Sequence, residues 1–388
     1  MNSVGLRTTQ LRNFRQALLW WYSLHARDLP WRRTRDPYQI WVSEVMLQQT
    51  RVATVVDRYR TFIASFPTLV ALALAEEDEV LTQWSGLGYY KRARELRHAA
   101  QVVMREHAGS MPQKFDELRR LPGIGQYSAA AIASIAFGEP VAVVDGNVER
   151  VITRVLGATE SAQLSTRARM RDAAQKLLDK DQPGTFNQAM MELGATVCHP
   201  RWPRCDKCPV QEICRTQGEH PRPPRAKILS RQAAYGLVRR LVGQSKTVEV
   251  LVQRRPADAS QMPGMWELPE VDMSIVENME PVLRLSHAIT NTAYYVTVYA
   301  LRELPGEKLE PHSTQEWANA EKLLKIPLTG LARKVLMRMD ILPRPKSIRT
   351  GIKIPDALDP FVPNLNAKGN PRKKEHGKEE QGKQEQER

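Results

Sequence analysis

The sequence predicts two architectures in one chain: a mostly α-helical region over residues 1–217 and an α+β domain over residues 233–342. Three observations predict them. In the first half, apolar residues recur at helical spacing, as in "VATVVDRYRTFIASFP" and "ARELRHAAQVVMREH", with Pro or Gly at the junctions. A proline-rich basic stretch, "GEHPRPPRAK" from Gly218 to Lys227, then reads as a stiff linker, placed over residues 218–232. Beyond it the texture changes: "YGLVRRLVG", "TVEVLVQRR" and "YYVTVYAL" read as strands, and "TGLARKVLMRM" as a closing helix. Residues 343–388 turn polar and charged, cannot bury a core and are expected to be disordered. No internal repeat is visible.

The 388 residues suffice for two or more domains, and 42% hydrophobic with 26% charged residues fits a soluble globular chain. A formal net charge of +14 and a pI near 9.7 favour a polyanionic partner, most often nucleic acid. No apolar run approaches the ~20 residues of a membrane span, so no membrane partner is expected. The opening "MNSVGLRTTQ" lacks the apolar segment of a secretory signal, which predicts a cytoplasmic chain with reduced thiols.

Taken in order, the first chemically informative element is "IWVSEVMLQQTR", Ile40 to Arg51. As a helix it is apolar on nearly every side, yet Glu44 sits in its middle. One turn away lie Ile40, Trp41, Leu47 and Gln48, none of which can pair with a carboxylate as Lys or Arg would. Next, "FDELRRLPGIGQYSAAAIASIAFG" sets one helix before "LPGIG" and an Ala-rich helix after it. Gly123 and Gly125 permit a tight hairpin whose free N–H groups at a helix N-terminus suit a phosphate; a plain helix–helix turn is the alternative. A dinucleotide site is excluded, because no strand precedes the glycines. In "VAVVDGNVERV", Asp145 precedes a helix with Val148, Val151, Ile152 and Val155 on one face. It can cap that helix and still present an anion.

All four cysteines fall in "CHPRWPRCDKCPVQEIC": Cys198, Cys205, Cys208 and Cys214, spaced C-x6-C-x2-C-x5-C. A disulfide framework would spread them, so the clustering points to a metal. Four thiolates suit a [4Fe–4S] cubane or a zinc ion. Zinc ribbons pair two C-x2-C knuckles and this loop has one, which favours the cluster. Arg201, Arg204, Lys207 and Arg215 interleave with the ligands and could meet a DNA phosphate.

Together, "LPWRRTRDPYQIWVSEVMLQQTRVATV", "GLGYY", "LPGIGQYSA", "VDGNVERV", "FNQAMMELG" and the cysteine loop resemble the adenine DNA glycosylases of the MutY type. These belong to the helix–hairpin–helix superfamily that also holds endonuclease III. The resemblance is dense over about residues 10–217 and looser beyond. It implies a helix–hairpin–helix glycosylase fold with a [4Fe–4S] cluster on the four cysteines. The implied substrate is double-stranded DNA with adenine opposite 8-oxoguanine or guanine, met by a monomer at the bacterial nucleoid.

The resemblance also implies roles. Glu44 protonates N7 of a flipped adenine, which requires a carboxyl pKa raised by apolar burial. Asp145 stays ionised and stabilises the oxocarbenium-like sugar, aided by Asn147 and the Tyr127 hydroxyl. Endonuclease III has a lysine at the hairpin position of Tyr127; a phenol forms no Schiff base, so little strand cleavage is implied. Gln49 and Tyr89 wedge into the duplex, and Trp31, Arg32 and Gln188 contact the flipped base. Two rivals remain: a glycosylase of the same superfamily acting on thymine opposite guanine, and a catalytically silent iron–sulfur DNA-binding protein.

The C-terminal domain resembles the Nudix-like domain that reads 8-oxoguanine in this family. "MPGMWELPE" looks like the start of a Nudix loop, but the acidic box that binds Mg²⁺ does not follow, so nucleoside diphosphate hydrolysis is not implied. The family's reader is Phe-Ser-His, two residues after a histidine. The preferred register puts it at Ile289-Thr290-Asn291 after His287; Leu285-Ser286-His287 is the alternative.

Overall fold

The computed structural model describes residues 6–157, 166–219, 228–244, 247–289, 291–302, 304 and 314–344. Thr290, residues 220–227 of the expected linker and residues 345–388 of the expected tail lie outside the described residues.

The helical region runs α1 (Thr8–His25), α2 (Pro37–Leu47), α3 (Val52–Ser65), α4 (Leu69–Leu74), α5 (Glu77–Gln83), α6 (Lys91–Glu106), α7 (Phe115–Leu118), α8 (Gln126–Phe137), α9 (Gly146–Leu156), α10 (Arg167–Leu177) and α11 (Pro183–Thr196). It is built on two apolar cores. One joins α2 to α8 around Trp41, Phe62, Trp84, Leu96, Leu118 and Ile132. The other brings α1 back against α9, α10 and α11 around Phe14, Leu18, Ile152, Met170, Phe186 and Leu193. The chain thus starts in one lobe, builds the second, and returns to finish the first.

The Ala-rich helix α8 lies where the lobes meet, and small residues let α11 approach. A Cβ on Gly184 would stand 2.6 Å from the Ser134 carbonyl oxygen of α8. A Cβ on Gly194 would stand 2.6 Å from the Asn147 Cβ at the start of α9. Contacts under 3.0 Å leave no room for a methyl group, so both glycines fix how closely α11 docks.

The second region contains β1 (Leu229–Val242), β2 (Thr247–Arg254), β3 (Trp266–Glu267), β4 (Glu270–Val271), β5 (Leu283–Ile289), β6 (Thr292–Leu301), β7 (Gln315–Asn319), α12 (Ala320–Lys325) and α13 (Gly330–Arg338). The sheet order is β3-β2-β1-β6-β5, with β4 on β1 and β7 on β2. The β1–β6 pair is parallel, from Leu229 opposite Thr292 to Val238 opposite Leu301; the other pairs are antiparallel. The middle of β1 is buried, with one core under α13 and a second against Val271, Val276 and Tyr299. β1 begins at Leu229, inside the stretch expected to be linker, because parallel pairing with β6 satisfies its backbone from there on. No helix among the described residues is long and apolar enough to cross a membrane.

The α+β region is seated on α5 and α6. Met265 is fully buried in the α2–α8 core, Arg94 donates to the Pro263 carbonyl, Arg254 pairs with Asp78, and Arg333 donates to Ser85.

Candidate active site

Helix α2 begins with Asp36 accepting from the Tyr38 N–H and Pro37 in the first turn, a strong start signal. Every residue from Ile40 to Met46 is buried, so Glu44 is only 4% exposed. The Tyr127 hydroxyl, from the first turn of α8, donates to Glu44 Oε2. Burial pushes the Glu44 carboxyl up to about 7; the Tyr127 hydrogen bond opposes this, the Asp145 charge adds to it and Arg32 opposes it. A carboxyl in this range holds a proton for part of the time at neutral pH. Tyr127 itself is raised well above the phenol range, by burial first and the two carboxylates second, so it remains a hydrogen-bond donor.

Asp145 caps α9. Its Oδ1 accepts from the Val148 N–H at 2.7 Å and its Oδ2 from the Asn147 amide at 3.1 Å. Its pKa is raised above the ordinary carboxylate value. Removal from water raises it; hydrogen bonds from Val148 and Asn147 and the Arg150 charge oppose that rise. Asn147 is held in turn by Arg150, which donates to Asn147 Oδ1, the Gly194 carbonyl and the Cys198 carbonyl at 2.8–2.9 Å.

The four cysteines carry no disulfide and line one pocket with Val151, Val155, Leu193, Val197 and Val210. Arg154, buried beneath them, donates to Cys198 Sγ at 3.2 Å and to the His199 and Pro200 carbonyls. Burial, with neighbouring sulfurs adding to it, pushes the Cys208 thiol up to about 12. Among the described residues, no group of three or more His, Cys, Asp or Glu could hold a single metal ion. Four thiols facing one apolar pocket, with a guanidinium on one sulfur, fit a polynuclear cluster.

Residues 42–180 match the HhH-GPD superfamily of base excision DNA repair proteins. The human adenine DNA glycosylase is 50% identical over 215 residues, covering 53% of this chain and 39% of that one. The adenine DNA glycosylase of Mycolicibacterium smegmatis is 46% identical over 199 residues, covering 51% of this chain and 67% of that one. The chain belongs to the adenine DNA glycosylase family. Its match spans about two fifths of the human relative. A solved thermostable thymine-DNA glycosylase superposes with a TM-score of 0.50 at 30% identity, covering 54% of this chain and 97% of that one.

The positions that the adenine DNA glycosylase resemblance assigns to base reading gather on α11 and the turn before α2. Gln188 Oε1 accepts from the Tyr22 hydroxyl at 2.8 Å, which leaves the amide N–H groups to face elsewhere. Arg32 donates to Glu192 at 2.7 Å and lies over the Tyr22 ring. Trp31 is 5% exposed and packs edge-on against Tyr59 in the α2–α8 core, where it forms a wall and not a free stacking surface. Sequence reasoning missed Glu192. It is fully buried, and although burial raises its pKa, hydrogen bonds from Arg27 and Arg32 hold it at about 2. Its spacing of four from Gln188 on one helix was the available signal.

Gln49 and Tyr89 are both exposed, and both adopt left-handed backbone, with φ of 57° and 49°. In the hairpin, Gly123 has φ of 69°, and a Cβ there would meet the Glu95 Cβ at 2.7 Å. Gly125 differs: its backbone is extended and it caps α8 with open space around it. Among the C-terminal positions, His287 and Ile289 line one pocket with Tyr89, Lys91, Arg94 and Gln261. Asn291 is exposed in the β5–β6 turn. Leu285 is buried in the sheet core opposite Val296, so the Leu285-Ser286-His287 register offers no apolar wedge.

Proposed function

We propose that this protein is an adenine DNA glycosylase that hydrolyses the N-glycosidic bond of adenine opposite 8-oxoguanine or guanine in double-stranded DNA. The observation that carries the reading is the buried Glu44, bound by Tyr127 and raised to about 7. Adenine is a poor leaving group until its N7 is protonated, and a half-protonated carboxyl can supply that proton near neutrality. As the C1′–N9 bond breaks, its electrons go to the base. The sugar gains positive charge, which the Asp145 carboxylate stabilises. Asp145 rests on a helix N-terminus with backbone and amide donors, whereas Glu44 has one hydroxyl. The shared proton therefore resides on Glu44. Water then adds to C1′ and its proton returns to Glu44.

With tyrosine at position 127, the pocket offers no amine there for Schiff-base chemistry, so the product is an abasic site. Cys198, Cys205, Cys208 and Cys214 would hold a [4Fe–4S] cluster, which would cross-link the loop that carries Arg201, Arg204 and Lys207 toward a phosphate. The α+β region acts as a Nudix-like reader of 8-oxoguanine through His287, Ile289, Thr290 and Asn291, the first two of which line a pocket with Tyr89. The protein works as a monomer in the cytoplasm.

A single assay tests the reading. Duplexes with A opposite 8-oxoguanine, A opposite G and T opposite G are incubated with the protein, then heated in alkali to cut abasic sites. Cleavage at adenine in the first two is expected. Cleavage at thymine alone would favour the thymine reading that the structural neighbour raises, and no cleavage in any duplex would favour a silent DNA-binding protein.

A further inference from the structure

We infer that Arg92 is the positioning residue for base extrusion, holding Gln49 and Tyr89 as one wedge. The inference rests on the glycosylase reading, in which those two side chains enter the duplex. Arg92 lies in the first turn of α6 and reaches under two separate chain segments. Its Nη1 donates to the carbonyls of Val45, Met46 and Gln48 at 2.7, 3.3 and 2.5 Å, at the end of the helix that carries Glu44. Its Nη2 donates to the carbonyls of Leu87 and Gly88, both at 3.1 Å, and to Thr50 Oγ1 at 3.4 Å. The Trp84 and Tyr89 rings lie 5.4 and 5.5 Å from its guanidinium carbon. Gln49 directly follows the first set of acceptors, and Tyr89 directly follows the second.

The placement is costly in three ways. No carboxylate pairs with Arg92 among the described residues, its Nε is buried without a hydrogen bond, and a cation at the start of α6 opposes the helix dipole. Capping α2 alone would need one or two of these bonds. The remainder tie the Gln48–Thr50 turn to the Leu87–Tyr89 turn, each of which carries a non-glycine residue in left-handed backbone. Such conformations persist only where surrounding contacts over-determine them. A planar fork can serve both turns at once, whereas an ammonium is a single point charge.

The test uses the full-length chain, Arg92→Lys and Thr50→Val, with 2-aminopurine placed beside the target adenine opposite 8-oxoguanine. Stopped-flow fluorescence reports unstacking, and single-turnover kinetics report excision per active molecule. In Arg92→Lys, both the unstacking rise and the excision rate are expected to fall about tenfold to a hundredfold. The pH midpoint of excision should not move, because Glu44 is unchanged. In a Gln49→Ala, Tyr89→Ala background the same substitution should cost little more, since the wedge it serves is already gone. Thr50→Val should act in the same direction with smaller size, and it decides the matter if Arg92→Lys does not fold. A lower melting temperature with normal unstacking and normal excision per active molecule would overturn the inference. Wild-type protein that neither unstacks nor excises would instead overturn the glycosylase reading.

Discussion

Above pH 7 an ionised Glu44 is buried with the Tyr127 hydroxyl as its hydrogen-bond donor, and the Asp145 charge opposes its ionisation while Arg32 favours it, so this carboxylate should burden the fold. The sign follows from its pKa, which rises from an ordinary 4.5 to about 7. Ionised Glu44 is penalised only in the folded state, so stability falls as pH climbs from 4.5 through 7. Glu44→Gln should therefore abolish excision yet stabilise the fold at pH 8.5 by up to about 3 kcal/mol, seen as a higher melting temperature, with no gain at pH 4.5. Calorimetry at the two pH values checks this; equal effects at both would mean that Glu44 is not the buried acid. Excision by the native protein should decline about tenfold per pH unit well above 7, read from single-turnover rates. Borohydride should trap little covalent adduct, because Tyr127 has no amine; abundant trapping would reveal a lysine at work. Glu44 was legible in the sequence because nothing at i±3 or i±4 could neutralise it. The rise at Asp145 was not, since it depends on water excluded by packing, and the Glu192 pairs join residues 160 and 165 positions apart.

At the scale of elements, the sequence marked where helices start and turn but not how tightly they pack. The apolar periodicity of "VAVVDGNVERV" placed α9 and its Asp145 cap, as found. Strands β3, β4, β5 and β7 escaped notice because they are short or keep a polar alternate face, and register is set by distant partners. The glycines of α11 show the same limit. Gly194→Ala would drive a methyl group into Asn147, parting α11 from α9, and should cost about 1–3 kcal/mol of stability together with much of the excision rate. Chemical denaturation beside single-turnover kinetics checks both; a neutral result would mean that α11 can shift without disturbing the site. The cysteine loop makes a separate prediction. Anaerobically prepared protein should be yellow-brown with about four irons per chain, and Cys208→Ser should lose them. Stoichiometric zinc without iron would exclude the cluster.

For the whole molecule, composition marked a boundary near Gly218, yet the region beyond it packs closely on the region before it. Met265 fills the α2–α8 core and Arg254 reaches Asp78, contacts that no local pattern reveals. Protein ending at Lys227 should still excise adenine opposite G, because Glu44 and Asp145 remain. It should melt at lower temperature and lose the proposed preference for 8-oxoguanine. Paired rates on the two duplexes and a thermal melt measure this; a retained preference would place recognition of the oxidised base in the helical region. Replacing Ile289-Thr290-Asn291 with Phe-Ser-His should raise the 8-oxoguanine to guanine ratio roughly tenfold, within the range of one discriminating polar contact.

The return of α1 to the lobe made by α9, α10 and α11 has a consequence for how the chain is born. A ribosome releases the first helix long before its partners at Phe186 and Leu193 exist, so Phe14 and Leu18 emerge with nothing to cover them. The α2–α8 lobe is contiguous and can condense first, while α1 waits outside it. At roughly 5–20 residues per second, that wait lasts on the order of ten seconds or more. An apolar helix face left open for so long is a natural target for chaperone capture, and the pairing of Arg32 with Glu192 cannot form until the chain has passed α11.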